Sequence, residues 1–358
     1  MTRPTQAKIN LANLRHNYQF AKQTTGVACL AVVKADAYGH GAAAIGRALE
    51  QEVDGFAVGM LSEALELRQN GINKPVLLLQ GAHERGEIGD IVANQLTMLI
   101  ASDYQLAWAL EAKIPEPIDV WIKYDTGMHR LGLSHSEVVR AINSLNNLPW
   151  VRSLTLMTHM ACADEFNHPH TQGQLVLFQQ LAQQFRLPVS IANSASLLSL
   201  PQTHGHIARP GLMLYGTSPL AYEHALASQL KAVMTLEASV IALHQVQSGE
   251  SVGYGATWTA QRPSVIATLS VGYGDGYPRV TTCDSFVVIR GQRAPVAGRV
   301  SMDMMCVDVT DIKGVICGDV AECWGSQVPV AHVAQQAGTL AYETLAAMPA
   351  RVPRVYTE

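Results

Sequence analysis

The segment "LAVVKADAYGHG" (residues 30–41) ends an apolar, β-branched run in a lysine and places a tyrosine four residues later. Burial penalises an ammonium group and loosens its proton, so Lys34 at a strand end is a candidate nucleophile. Later apolar runs also end in groups that can do chemistry. "KYDTGMHRLG" sets Lys123 and Arg130 behind a fifth run, His159 closes a sixth, Asn193-Ser194 a seventh and Arg209-Pro210-Gly211 an eighth. Arginine suits carboxylate or phosphate, and serine beside glycine-rich backbone suits phosphate oxygens. A lysine among cations suits Schiff-base chemistry. Pyridoxal 5′-phosphate would supply what this set lacks: an aldehyde for Lys34, a phosphate for the serine–glycine end and an electron sink. A strand-end lysine alone is more often solvated or ion-paired. The shared placement of the other residues is what favours the chemistry.

Those residues need a scaffold that converges strand ends. Eight short apolar runs occur at 28–33, 55–59, 75–80, 96–101, 118–124, 154–159, 188–193 and 205–211. Stretches of helical period lie between them, for instance 61–70 and 134–147. This alternation predicts an α/β fold, an N-terminal (β/α)8 TIM barrel over residues 1–230, with the active site at the carboxyl ends of its strands. A doubly wound sheet is the alternative, but no glycine-rich dinucleotide fingerprint follows the first strand. Beyond residue 230, closely spaced β-branched runs broken by Gly and Pro predict a mostly-β C-terminal domain over 231–358. One short helix is expected at 340–348.

Composition narrows the class. The chain has 358 residues, 48% of them apolar and 15% charged, with a formal net charge of −4, as expected of a well-packed enzyme-like protein. Its basic residues are scattered, which argues against nucleic acid as a partner. No run has the length of a membrane span and the N-terminus lacks a signal-peptide core, so a cytoplasmic location is expected. Six cysteines without a Cys-x-x-Cys pair read as reduced, mostly buried thiols. "HPH" (168–170) and "HGH" (204–206) resemble metal-ligand pairs but lack companion ligands at the other strand ends, so no metal is expected. Cys162 reads as a packed thiol, Met302, Met304 and Met305 as core or interface packing, and "GYGDGYPR" as a turn among strands.

"AVVKADAYGHG" closely resembles the cofactor-lysine signature of the alanine racemases, the fold-type III pyridoxal-phosphate enzymes. "KYDTGMHRLG", "MTHMACADE", "ARPGLMLYG", "VGYGATW", "GYGDGYPR" and "GRVSMDMM" resemble family segments, in the family order. The resemblance implies a barrel and a β domain whose first strand comes from the N-terminal "AKINLANL", and a head-to-tail homodimer with shared active sites. It implies that Lys34 holds the cofactor covalently. Tyr38, Ser194, Tyr342 and the amides of Gly211 and Leu212 would take the phosphate. Arg209 would face the pyridine nitrogen with His159 hydrogen-bonded behind it, and Arg130 would orient the substrate carboxylate. Lys123 resembles a position carbamylated in many members. The partner subunit would contribute Tyr254 as second base, Met302 through its amide and Asp303 lining the site, and Tyr273 would form part of the substrate entrance. Met160 stands where members commonly carry Phe, a change expected to affect packing.

The activity so implied is interconversion of L- and D-alanine by two bases on opposite faces of Cα, supplying D-alanine for peptidoglycan. A phenol is a poor base near neutral pH, so Tyr254 would need the field of nearby cations. A broader amino-acid or serine racemase and a non-catalytic cofactor carrier are the alternatives. Carriers built on this barrel normally end after it, and here the chain continues.

Overall fold

The computed structural model describes residues 4–221, 223–280, 282 and 284–358. The chain opens with strand β1 (Gln6–Asn10) and the helix Leu11–Thr25. Asn10 caps that helix by accepting from the Asn13 amide, and Gly26 ends it in a left-handed conformation. Eight strands come next: β2 (Ala28–Val32), β3 (Gly55–Val58), β4 (Val76–Leu78), β5 (Met98–Ile100), β6 (Ile118–Lys123), β7 (Val151–Met157), β8 (Val189–Ser190) and β9 (Ile207–Ala208).

These eight form two parallel four-stranded sheets, β4-β3-β2-β9 and β5-β6-β7-β8. Leu77 bridges to Thr97 between β4 and β5, and the His206 amide donates to the Val189 carbonyl (2.9 Å) between β8 and β9. Those two seams join the sheets into a barrel. Its strands are short and almost wholly buried; "GFAV" of β3 and "MLI" of β5 are buried at every position. A parallel barrel sheathed in helices requires this, because neither face of the sheet meets water.

The second half carries β10 (Met234–Val246), β11 (Ser251–Val252), β12 (Trp258–Thr259), β13 (Ser264–Leu269), β14 (Phe286–Ile289), β15 (Gln292–Pro295), β16 (Met305–Asp308), β17 (Val320–Trp324) and β18 (Arg354–Thr357). The first half of β10 alternates between buried and part-exposed residues, the period-two pattern of a half-covered strand. β1 pairs antiparallel with β10 and parallel with β18, so the start of the chain lies in the second domain's sheet.

Two helices precede β18, Val330–Gln336 and Ala341–Ala346, whereas the sequence pattern predicts only one there. "VAHVAQQ" is too short to show a period, and its buried Val330, Val333 and Ala334 read locally as more β texture. The thiols also differ from expectation. Cys29 and Cys323 are buried, Cys162 and Cys306 part-buried and Cys317 exposed, all of them free; Cys283 lies outside the described residues. Among the described residues, no helix is long and apolar enough to cross a membrane.

Candidate active site

Strand β2 ends at Val32, and Lys34 opens a turn rather than closing the strand. Ala35, Asp36, Ala37 and Tyr38 all have φ of 52–53°, a full left-handed helical turn built from non-glycine residues. Such a conformation costs about 1–2 kcal/mol per residue, so something outside the turn must hold it. The Ala35 amide donates to Glu63 Oε1 at 2.7 Å, and the Ala42 amide donates to Asp36 Oδ1 at 2.7 Å. Glu63 also accepts from the Gly59 amide at 2.6 Å, which ties the lysine turn to the end of β3. The same carboxylate caps the helix Leu61–Gln69, whose N-cap is Met60.

Cations gather around Lys34. Burial, then the charge of Arg130, lowers its proton affinity, and Glu63 partly opposes this. Lys123, the buried last residue of β6, is pushed down to about 8 by burial and by Arg209, Arg130 and Lys34. Arg130 is exposed on a loop that folds back on its own strand: Leu133 N–H donates to Lys123 O (2.8 Å), and Asp125 accepts from the amides of Gly127 and His129. Burial lowers Arg209 to about 9, which still leaves it protonated at neutral pH. His159 is held neutral by burial and then by Arg209, Lys123, Arg130 and Lys34.

Arg209 does not bond to His159. Its guanidinium donates to Thr158 O (2.8 Å), Ile191 O (3.2 Å) and the Ser190 hydroxyl, while His159 Nε2 lies 3.5 Å from Asn193 Nδ2. A buried guanidinium offers only donors, and the barrel's carbonyls are the acceptors at hand.

The donors for an anion collect at the neighbouring end. Ser194 Oγ accepts from the amides of Gly211 (2.8 Å) and Met213 (3.3 Å), with Leu212 between them. A Cβ on Gly211 would stand 2.8 Å from Tyr38 Oη, so only glycine leaves the backbone open beneath that hydroxyl. Tyr342, on the helix Ala341–Ala346, brings its ring to 6.1 Å from that of Tyr38. Burial raises the proton affinity of both phenols, with Tyr342 a secondary cause for Tyr38 and the Asp164 carboxylate for Tyr342. Hydroxyls and amides converge there, as an anion requires.

The remaining expected residues sit on the second domain. Tyr273 N–H donates to Ser301 O (3.0 Å) and Gly274 N–H to Met302 O (2.8 Å), while Arg351 pairs with both Asp275 and Asp303. Tyr254 lies in a turn between Gly253 and Gly255, and both glycines pack against Arg299. Tyr254 is 70% exposed and Met302 54%; within this chain neither joins the Lys34 cluster. The structure thus brings Lys34, Tyr38, Lys123, Arg130, His159, Ser194, Arg209, Gly211, Leu212 and Tyr342 to the barrel mouth. It places Tyr254, Tyr273, Met302 and Asp303 on loops of the second domain.

Family models described as "Alanine racemase, N-terminal domain" and "Alanine racemase, C-terminal domain" match residues 9–219 and 233–356. An alanine racemase from Stutzerimonas stutzeri is 46% identical over 99% of both chains, and one from Pseudomonas syringae pv. syringae 44% identical over 99% of both. The crystal structure of biosynthetic alanine racemase from Pseudomonas aeruginosa superposes with a TM-score of 0.95 at 44% identity, covering 100% of each chain. The chain belongs to the alanine racemase family.

For an alanine racemase, the donor set fits pyridoxal 5′-phosphate. Lys34 offers an amine of lowered basicity, and the Tyr38–Tyr342–Ser194 end offers hydroxyls to a phosphate, with Ser194 Oγ held by the Gly211 amide. Sequence reading gave no chemical role to Glu63, Thr158, Gln174 or Ser190. Gln174, on the helix Pro169–Phe185, donates to His159 O (3.0 Å) and Thr126 Oγ1 (3.1 Å) and so braces the ends of β6 and β7. Glu63 stands three residues after the N-cap Met60, a spacing at which a glutamate caps a helix start, whereas no local pattern marks Gln174.

The histidine pairs have structural uses. His168 accepts from the His170 amide at the start of the helix Pro169–Phe185, His170 Nε2 lies 3.0 Å from Gly127 O, and His204 Nε2 lies 3.0 Å from Leu197 O. Met305 is buried in the core, and Met304 is 45% exposed.

Proposed function

We propose that the chain interconverts L- and D-alanine with pyridoxal 5′-phosphate at a site completed by a second copy of itself. It is an isomerase of the alanine racemase family. The observation that carries the reading is a lysine of weakened basicity among Arg130, Lys123 and Arg209, next to converging phenols, hydroxyl and amides. The bound cofactor supplies an aldehyde for amines and a ring that draws electrons from Cα.

Lys34 would hold the cofactor through that aldehyde and would move a proton at Cα on one face. Tyr254 of the partner subunit serves the opposite face, so neither base has to travel far. Arg130 and the amide of Met302 of the partner subunit orient the substrate carboxylate, and Tyr273 and Asp303 of the partner subunit border the entrance. Tyr38, Tyr342, Ser194 and the Gly211–Leu212 backbone anchor the phosphate. Arg209 would hold the cofactor's ring nitrogen as a donor that does not readily give up its proton, which would leave the bound group a weaker electron sink. His159, held neutral, lies beside that arginine's strand. Lys123, lowered to about 8, holds a larger neutral fraction than an ordinary lysine, as carbamylation requires.

Further parts of the reading are a homodimer, a cytoplasmic location and supply of D-alanine to peptidoglycan. The exposed Tyr254, Tyr273, Met302 and Met304 support the dimer, since apolar groups so placed gain from a covering surface. A carrier lacking catalysis is disfavoured by the second domain, whose match spans residues 233–356. The test is racemisation of L-alanine by cofactor-loaded protein in deuterium oxide, with serine in parallel. D-Alanine labelled at Cα is expected, and K34A should lose both the lysine-bound absorbance band and at least about 1,000-fold in rate. Loaded protein that exchanges no α-proton from either amino acid would overturn the reading.

A further inference from the structure

The two phenols at the phosphate end come from different domains, and a single side chain bonds both the backbone next to Tyr38 and the backbone that follows the helix of Tyr342. Arg354, the first residue of β18, donates from Nε to Gly39 O at 3.1 Å, one residue after Tyr38. It also donates to Met348 O (2.9 Å) and Pro349 O (2.7 Å), just beyond the helix that carries Tyr342. A bond to Val352 O (3.0 Å) and a 3.5 Å contact with Asp36 Oδ2 complete its partners. The side chain is only 10% exposed.

Packing around the arginine leaves little slack. A Cβ on Gly39 would stand 2.2 Å from Leu345 O, and one on Gly41 2.1 Å from Tyr356 Oη, which itself donates to His40 O at 3.1 Å. Lys34 is held from the other side, through Ala35 N–H and Glu63 of the barrel. The left-handed turn thus has two anchors: the barrel holds its lysine end and the second domain its tyrosine end.

We propose that Arg354 is a positioning residue that fixes Tyr38 and Tyr342 as a pair for the cofactor phosphate, while Lys34 is set independently by the barrel. A guanidinium suits the task because its five donors form a rigid fork, whereas an ammonium concentrates three donors on one atom. This rests on the pyridoxal-phosphate reading above.

The test compares dissociation constants for pyridoxal 5′-phosphate and for pyridoxal, which lacks the phosphate, in wild-type, R354A and R354K. Binding is read from the lysine-bound absorbance band, and folding from circular dichroism. R354A is expected to weaken pyridoxal 5′-phosphate about tenfold or more while shifting pyridoxal less than about twofold. R354K should recover part of that preference. Parallel weakening of both ligands, or no change in either, would overturn the proposal. Should R354A fail to fold, R354K and Arg354→Gln carry the same comparison. A wild-type protein that does not prefer the phosphorylated ligand overturns the cofactor reading itself; variants with wild-type preference overturn only the role of Arg354.

Discussion

At the scale of single residues, the fold tolerates titratable groups in places where their charged forms are disfavoured. His40 is fully buried in the lysine turn, its ring 4.5 Å from that of Tyr215, with Nδ1 2.8 Å from Tyr38 O. Burial, reinforced by the charge of Arg354, pushes it down to about 4 from an ordinary 6.5. The unfolded chain therefore binds a proton at His40 more readily than the folded one, and stability rises with pH across that window. Acidifying from about pH 6.5 to about 4 should cost roughly 3 kcal/mol at this residue, taking about 1.4 kcal/mol per tenfold change in proton affinity. Urea unfolding of the cofactor-free protein at several pH values checks it. The slope should be shallower in His40→Gln than in wild type, and equal slopes would remove His40 from the account. Nothing in "AYGHGA" announces this burial, which depends on Tyr215 arriving from far along the chain.

Among elements, the left-handed turn after β2 matters most. The barrel's candidate site residues were legible because they stand behind apolar runs, and a barrel aims all such ends at one mouth. The turn itself was not, since "ADAY" contains none of the glycine or asparagine that marks a left-handed conformation. It persists through contacts with Glu63, Leu345 and Arg354, all remote in sequence. Gly39→Ala would add a Cβ 2.2 Å from Leu345 O at a φ of +76°, whereas Gly71→Ala, at +81°, meets nothing within 4 Å. Gly71→Ala should thus cost only the backbone term of about 1–2 kcal/mol. Gly39→Ala should exceed it by about 2 kcal/mol or more in urea unfolding and should weaken cofactor binding as well. Equal losses would mean that the close approach at Gly39 relaxes freely.

For the whole molecule, the division of labour between two faces is the main consequence. Lys34 stands in the barrel mouth and Tyr254 on an exposed turn of the second domain, so the proposed pair of bases forms only between subunits. Mixing K34A with Y254A, unfolded together and reassembled, makes the point testable. If subunits pair at random, half the dimers are hybrid and each hybrid holds one intact site, so about a quarter of wild-type activity should return. No recovery, in a mixture shown to contain hybrids, would place Tyr254 in its own subunit's site, and a Y254A protein that is active before mixing would place it outside catalysis.

The sequence by itself determined the succession of elements and the inventory of reactive groups. Both are written locally, in hydrophobic period and in the polar residues that close each apolar run. It also carried the family resemblance, because the segments around those groups occur in order along nearly the whole chain. Tertiary structure alone decided how the groups are held: the left-handed turn, the bonds of Arg209 to carbonyls rather than to His159, and the guanidinium of Arg354 on the backbone after Tyr38 and after the helix of Tyr342. The physical reason is the same in each case. A strained backbone or a buried charge is stable only if its partners are supplied, and those partners come from parts of the chain that no local pattern connects.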